Sequence, residues 1–231
     1  MTLHVSNLST DVQPNARASF AAAENVASGP YRAFFKRSID LTLVLLSMPF
    51  VLPMVLVLAL LVAVLTGGKP FYSQLRVGRN AAPFRMWKLR TMVKDADALL
   101  LKHLQDNPEA RAEWQSTQKL KDDPRITGIG RILRKTSLDE LPQLFNVLNG
   151  TMSLVGPRPM MVGQEDHYSG QAYFRMRPGL TGTWQVSDDR SNSEFAVRVV
   201  YDNSYEQNLS LKLDMNIMVQ TVGVVLRASC N

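Results

Sequence analysis

The 231-residue sequence predicts an α+β fold that is predominantly helical, with one membrane helix near the N-terminus and one small β-hairpin. The helix is predicted from residues 41–65, which contain no charged residue in 25 positions. At about 1.5 Å per residue this segment would be about 37 Å long, enough for a bilayer core of about 30 Å. The hairpin is predicted from residues 70–89, where apolar and polar residues alternate on both sides of the turn "GRNAAP".

The rest of the chain is expected to divide around the apolar segment. Residues 1–29 are rich in Ser, Ala, Asn and Thr without an apolar period, which is typical of a flexible tail. Residues 30–68 hold the membrane helix, and residues 69–231 form one membrane-associated domain. Within that domain, residues 94–120 read as polar surface helices broken at Asn107-Pro108. Helical spacing in residues 211–227 predicts either a core helix or an amphipathic helix on the membrane.

Two prolines and the flanking charges predict a bent path for the apolar segment. Pro53 is its central residue and Pro49 lies one turn earlier, and each removes a helical hydrogen bond. Three basic residues precede the segment in 32–37, and seven follow it in 69–95. Because basic residues favour the cytoplasmic face, a re-entrant helix that enters and leaves by that face satisfies both flanks. A single-pass anchor with a proline kink is the alternative.

Composition limits the chemistry. A net charge of +6 and a pI near 9.6 favour an anionic partner, whether nucleic acid, an acidic lipid surface or a phosphorylated substrate. The single cysteine, Cys230, excludes an internal disulfide and a cysteine-based metal site. His4, His103 and His167 are too scattered to indicate zinc, so any metal is expected to be a hard, oxygen-bound ion.

The stretch "TSLDELPQLFNVLNG", residues 136–150, places two acids before an apolar helix. Pro142 belongs in the first helical turn, so the helix is expected to begin near Asp139 and Glu140 and to end at residues 149–150. Two interpretations remain open. Ser137 and Glu140 fit a capping box that only starts the helix. Alternatively, both acids stay ionised at the helix N-terminus and hold a cation or attack an electrophile.

Arginines beside prolines and glycines are candidates for binding phosphate. Arg158 stands between two prolines in "GPRP", and their fixed φ makes a stiff turn. Arg177 and Arg190 bracket the glycines of "RPGLTGTWQVSDDR", where the backbone can approach an anion closely. Lys88 extends the basic character of the hairpin.

Taken in order, the motifs resemble those of the bacterial sugar transferase family. They are "FKRSIDL", the proline-broken apolar run, "FRMWKLRTM", "LRKTSLDELPQLFNVLNGTMSLVGPRP" and "RPGLTGTWQV", and they cover about residues 31–227. Family members are monotopic phosphoglycosyl transferases that move a sugar 1-phosphate from a UDP-sugar to polyprenyl phosphate. Chain length and the "NPEARAEWQSTQKLKDDPRITGIGR" region are most similar to the enzymes that start exopolysaccharide repeat units with galactose 1-phosphate; glucose is the other hexose considered.

The resemblance implies a site and its partners. Asp139 is implied to be the nucleophile and, with Glu140, to hold magnesium, with manganese as the other candidate. The residues implied to bind substrate phosphates are Lys88, Arg158, Arg177 and Arg190. The implied partners are a UDP-sugar, undecaprenyl phosphate and lipids of the cytoplasmic face, with a homodimer left open and no nucleic acid. The implied location is the bacterial inner membrane, with residues 69–231 as the catalytic domain on the cytoplasmic side.

Two features of the sequence depart from the family pattern, and two other functions remain as alternatives to sugar-phosphate transfer. Leu52 precedes the central proline where the family usually has Ser, and "SDDR" replaces the family's "SGR", which displaces Arg190 by one residue. An inactive membrane scaffold for polysaccharide assembly would keep the apolar run, but the intact Asp139, Glu140 and Arg158 argue against it. A membrane-tethered nucleic-acid binder is suggested by charge alone, since the basic residues form no recognisable binding module.

Overall fold

The computed structural model describes residues 29–117, 120–191 and 195–227. In chain order the elements are α1 (Lys36–Thr66), β1 (Phe71–Val77), β2 (Pro83–Leu89), α2 (Ala96–Asp106), α3 (Pro108–Thr117), α4 (Gly128–Lys135), α5 (Gln143–Leu148), β3 (Ser153–Val155), α6 (Ala172–Arg175), β4 (Gly179–Thr181), α7 (Thr183–Val186), α8 (Phe195–Gln207) and α9 (Leu211–Leu226). The predicted predominantly helical α+β class is confirmed. The expected tail lies almost entirely outside the described residues.

The apolar segment forms the long helix α1. A single π-helical turn, Tyr31–Phe35, leads into it, and Gly67 ends it in the left-handed region at φ +62°. Both Pro49 and Pro53 lie inside this helix, which continues through them. By length and composition, it is the one helix in the described part of the chain that could cross a membrane.

One face of α1 packs against the rest of the protein from end to end. The packed residues recur every three or four positions: Val44, Met48, Val51, Val55, Leu58, Ala59 and Val62. Near the helix start Val44 packs with Phe84 and Met86, and near the helix end Val62 packs with Leu89. The other face is a broad exposed apolar surface: Leu45, Leu46, Phe50, Leu56, Val57, Leu60, Val64 and Leu65.

The predicted hairpin is confirmed. Strands β1 and β2 pair antiparallel with Phe71 opposite Leu89 and Val77 opposite Pro83. The break between α2 and α3 at Asn107 is also confirmed. A second sheet was not predicted: β3 and β4 pair in parallel through Ser153–Gly179 and Val155–Thr181. Its strands are three residues long, too short to show a period of two.

The last helix has two different faces. Ile217 is 2% exposed and packs with Val155 and Tyr205. The opposite face presents apolar side chains to solvent: Leu211, Met215, Val219, Val222 and Leu226. Core packing and an amphipathic surface are therefore both present in α9.

A buried carboxylate joins α9 to the start of α1. Asp214 accepts hydrogen bonds from the Tyr31 hydroxyl at 2.7 Å, the Lys36 ammonium at 2.6 Å and the Tyr205 hydroxyl at 2.6 Å. Helix α1 is thus fixed at its N-terminal end by charge-assisted bonds to the C-terminal helices.

Candidate active site

The two acids lie in a tight turn rather than at a helix N-terminus. Ser137 adopts φ +55°, a 3₁₀ turn covers Leu138–Glu140, and α5 begins only at Gln143. Neither Ser137 nor Pro142 makes a side-chain capping bond, so the capping interpretation is wrong. The expected end of the helix is confirmed, since Gly150 follows α5 at φ +85°.

Lys88 brings the acids of this turn together with the hairpin. Its ammonium lies 2.6 Å from Glu140 Oε1 and 4.0 Å from Asp139 Oδ2. The Asp139 residue is only 7% exposed, whereas about a third of the Glu140 side chain, 33%, remains accessible. Two adjacent carboxylates therefore share one cation, and the more buried carboxylate is not in direct contact with it.

Burial and the nearby cations together set the pKa values of the two acids apart. Burial raises the pKa of Asp139 to about 6, with Glu140 adding to the rise and Lys88 and Arg134 opposing it. Burial also disfavours the charged form of Glu140, but Lys88, Arg158 and Arg76 outweigh it and lower that pKa. The sequence led us to expect two firmly ionised acids. For Asp139, burial works against that expectation by raising the pKa to about 6.

Two arginines lie near the acids. Arg76 lies on β1, on the same face of the hairpin as Lys88, and donates to the carbonyl of Pro159 at 3.3 Å and to Gln74 Oε1 at 2.7 Å. Arg158 follows β3 and is exposed. Each of them lowers the pKa of Glu140. Burial lowers the pKa of Arg76, and the charge of Arg158 lowers it further. The turn that carries the acids therefore faces a region of concentrated positive charge.

Sequence reasoning missed an aromatic residue and an arginine beside Arg158. The guanidinium of Arg158 lies 5.5 Å from the ring centroid of Trp184, and that of Arg198 lies 4.6 Å from the same centroid. Trp184 belongs to α7 and Arg198 to α8. Only the "TWQV" motif gave a local signal, and nothing in the spacing around Arg198 distinguished it.

Comparison with known proteins identifies the chain. The sequence signature described as bacterial sugar transferase matches residues 31–228. The chain belongs to the bacterial sugar transferase family. It is therefore an enzyme that transfers a sugar phosphate.

Three relatives illustrate the similarity of this sugar transferase to named proteins. The exopolysaccharide production protein ExoY of Sinorhizobium fredii is 42% identical over 210 residues, 90% of this chain and 92% of the relative. The undecaprenyl-phosphate galactose phosphotransferase of Salmonella typhimurium is 43% identical over 196 residues, 84% of this chain and 41% of that longer protein. The UDP-glucose:undecaprenyl-phosphate glucose-1-phosphate transferase of Caulobacter vibrioides is 38% identical over 201 residues, 83% and 69% of the two chains.

Two arginines expected in this sugar transferase's site are not brought to the acids by any described contact. Arg177 Nε donates a hydrogen bond to the carbonyl of Gly150 at 2.8 Å. Burial lowers the pKa of Arg177, and the charge of Arg37, at the start of α1, lowers it further. Arg177 thus belongs to the junction between α5 and α1. Arg190 lies in the turn Asp188–Ser191, but its side chain is outside the described part of the structure.

The carboxylates fit a metal ion that is shared with substrate. Among the described residues no three acidic, histidine or cysteine side chains are grouped as a self-contained site. Magnesium is commonly held by one or two carboxylates together with substrate phosphates. Asp139 and Glu140 are adjacent and mostly ionised at neutral pH, so they match that pattern.

Proposed function

We propose that this sugar transferase moves a hexose 1-phosphate from a UDP-sugar to undecaprenyl phosphate and releases UMP, as the first step of exopolysaccharide repeat-unit synthesis. The observation that carries the proposal is the Asp139 carboxylate, buried beside the Lys88–Glu140 ion pair and facing the arginines of the site. The names of the relatives add support, because they include undecaprenyl-phosphate hexose phosphotransferases.

The proposed chemistry has two displacements at phosphorus. An Asp139 oxygen attacks the β-phosphorus of the UDP-sugar, the bond from that phosphorus to the bridging oxygen breaks, and UMP leaves with the bridging oxygen. A phosphate oxygen of undecaprenyl phosphate then attacks the same phosphorus, and the aspartyl–phosphate bond breaks. Asp139 returns as a carboxylate, so atoms and charge balance without an added proton. Covalent catalysis keeps the two polyanionic substrates from having to meet in one step.

The surrounding charges have separate roles in this scheme. Lys88 lies 4.0 Å from the Asp139 carboxylate and helps to keep it ionised, ready to attack. Arg158 and Arg76 face the region where phosphate oxygens gather charge, and such fixed cations stabilise a phosphoryl transition state. Glu140 and Asp139 would hold magnesium, or manganese in its place. When bound, the ion neutralises charge on the diphosphate.

The packing of α1 supports a helix that stays on one side of the membrane. Val44 and Val62 are 18 positions apart, about 27 Å along a straight helix. Both nevertheless pack against the same strand, β2. A spanning helix would carry one of these residues to the opposite face, away from the domain. We therefore propose the re-entrant path, with the catalytic domain on the cytoplasmic face of the inner membrane and the apolar face of α9 lying in the lipid surface.

The reaction is tested with purified protein and UDP-galactose in the absence of lipid acceptor. The two-step scheme predicts release of UMP in an amount no greater than the enzyme present, and sugar phosphate on the peptide that carries Asp139. Asp139→Asn must fold and release none, because a carboxamide neither attacks phosphorus well nor binds magnesium. An Asp139→Asn protein with wild-type turnover would remove this residue from the chemistry.

The hexose is tested in the same assay with UDP-glucose in parallel. Galactose is proposed because the Salmonella relative is a galactose phosphotransferase, and glucose is the alternative because the Caulobacter relative is a glucose-1-phosphate transferase. A higher rate constant for UMP release with UDP-glucose would reverse the assignment.

The membrane path is tested by labelling single cysteines in a background without Cys230. Cysteines at Ala33 and Lys69 should both be protected from impermeant reagents in intact cells, because both flanks are proposed to be cytoplasmic. Labelling of Ala33→Cys from outside would establish a spanning helix. Replacing Pro49 and Pro53 together is expected to straighten α1 and to expose that position.

A further inference from the structure

Trp184 lies close to the guanidinium groups of two arginines. Arg158 and Arg198 lie 5.5 Å and 4.6 Å from its ring centroid, and the Trp184 residue is only 6% exposed. The indole Nε1 and the Nε of Arg198 are buried and have no hydrogen-bond partner within the described residues. Arg76 Nε is likewise buried without a hydrogen-bond partner among the described residues, and the charges of Arg76 and Arg158 repel each other.

This arrangement is costly in the free protein. A buried N–H donor without an acceptor forfeits its hydration, which typically costs about 1–3 kcal/mol per group. Arg158 and Arg198 also repel each other. Asp202 attracts Arg198, but it accepts a hydrogen bond from the Tyr168 hydroxyl at 2.9 Å. A multiply charged anion with several acceptor oxygens would satisfy the free donors and relieve the repulsion together, and phosphate is such an anion.

We propose that Trp184 and Arg198 form, with Arg158, a phosphomonoester subsite that holds the phosphate of UMP as it leaves and then the phosphate of the lipid acceptor as it enters. The inference rests on the proposed two-step transfer. In-line displacement puts the leaving oxygen on the side of the phosphorus opposite Asp139. The second displacement runs through the same geometry in reverse, so the incoming phosphate arrives where UMP departed.

The charges are ordered as this subsite requires. Asp139 and the Lys88–Glu140 pair lie at one end. Arg158 is next, since it acts on Glu140 and also contacts Trp184. Arg198 packs against the same indole ring, 4.6 Å from its centroid. The transferred phosphoryl group would therefore bind between Asp139 and Arg158. The phosphomonoester would bind at Arg158, Trp184 and Arg198, whose side chains are closely packed in the free protein and must separate to admit it.

Binding of UMP to the purified full chain tests the subsite without turnover. We expect Arg198→Gln to weaken UMP at least tenfold in isothermal titration, because a charge-assisted phosphate contact is lost. Trp184→Phe should weaken UMP binding less, because it keeps an aromatic ring and removes a neutral N–H donor, whereas Arg198→Gln removes a charge. Uridine, which has no phosphate, should show the same affinity in each protein. The matched control is Arg111→Gln, an exposed arginine that bonds the carbonyl of Leu104 and should leave UMP affinity unchanged.

The acceptor arm tests whether the two phosphates share the subsite. UMP should compete with undecaprenyl phosphate, and Arg198→Gln should raise the KM for undecaprenyl phosphate by a factor similar to its effect on UMP. An unchanged KM for undecaprenyl phosphate would overturn the proposal that the two phosphates share the subsite.

Wild-type affinity for UMP in folded Arg198→Gln would overturn the subsite itself, even where the wild type releases UMP as proposed. If Arg198→Gln does not fold, Arg198→Lys replaces it. That variant keeps the charge but loses the fork, and normal UMP binding by it would equally overturn the proposal.

Discussion

Replacing Asp139 by Asn is expected to make the protein more stable while abolishing sugar-phosphate transfer. The carboxyl group is buried, and burial is the largest influence on its acidity. Asn has nearly the same shape and carries no charge. The substitution therefore removes a charge that folding forces out of water, together with the group proposed to attack phosphorus.

The size of the effect follows from the pKa of Asp139. Folding raises it from 3.8 to about 6, and each pKa unit corresponds to about 1.36 kcal/mol. The folded state holds this proton more tightly than the unfolded state, so the charged carboxyl lowers stability at pH above 6. The penalty shrinks as the pH falls below 6 and is lost below the unfolded-state pKa of 3.8. By proton linkage, Asp139→Asn should increase the free energy of unfolding by about 3 kcal/mol at pH 7.5 and by about 1 kcal/mol at pH 4.5.

Thermal unfolding in detergent at both pH values measures this gain. For a chain of this size about 3 kcal/mol raises the Tm by about 6–12 °C. The control is Asp123→Asn: burial opposes ionisation of Asp123, but Arg125 at 2.6 Å outweighs it and lowers the pKa, so that variant should be less stable. The reasoning would be refuted if Asp139→Asn unfolded at or below the wild-type temperature at pH 7.5. It would also be refuted if the difference in Tm between the variant and the wild type were no smaller at pH 4.5.

Three other substitutions test neighbouring parts of the argument. Lys88→Met should raise the pKa of Asp139 further, so the acid limb of the kcat/KM profile should move to higher pH; an unmoved limb would exclude Asp139 as the titrating group. Arg158→Lys keeps charge but loses forked hydrogen bonds, and should lower activity about tenfold to a hundredfold with normal membrane insertion; near-normal turnover would remove Arg158 from the phosphate site. Asp214→Asn leaves Lys36 buried without its counter-ion and should cost about 3 kcal/mol in unfolding experiments. The double variant Asp214→Asn with Lys36→Met should lose less, and an additive loss would contradict the ion pair.

Local signals in the sequence were sufficient for several elements. The uncharged run predicted α1, alternation on both sides of a turn predicted the β1–β2 hairpin, and Asn107-Pro108 predicted the break between α2 and α3. The parallel pair β3–β4 had no such signal, because its strands are short and lie more than 20 residues apart. The capping interpretation of Ser137 and Glu140 failed because the Glu140 side chain bonds Lys88, 52 positions away, in preference to its own backbone.

The family, the long apolar helix and the acid pair could all be predicted from the sequence, because they depend on composition and on residues close together in the chain. The surroundings of the acids could not be predicted, because they come from distant segments. Lys88 comes from β2, Arg158 from the turn after β3, and Trp184 and Arg198 from α7 and α8. Burial raises the pKa of Asp139 to about 6. The pKa of an acid and the hydrogen bonding of a buried N–H group both depend on which neighbours shield them from water. Those neighbours come together only when distant segments of the chain pack.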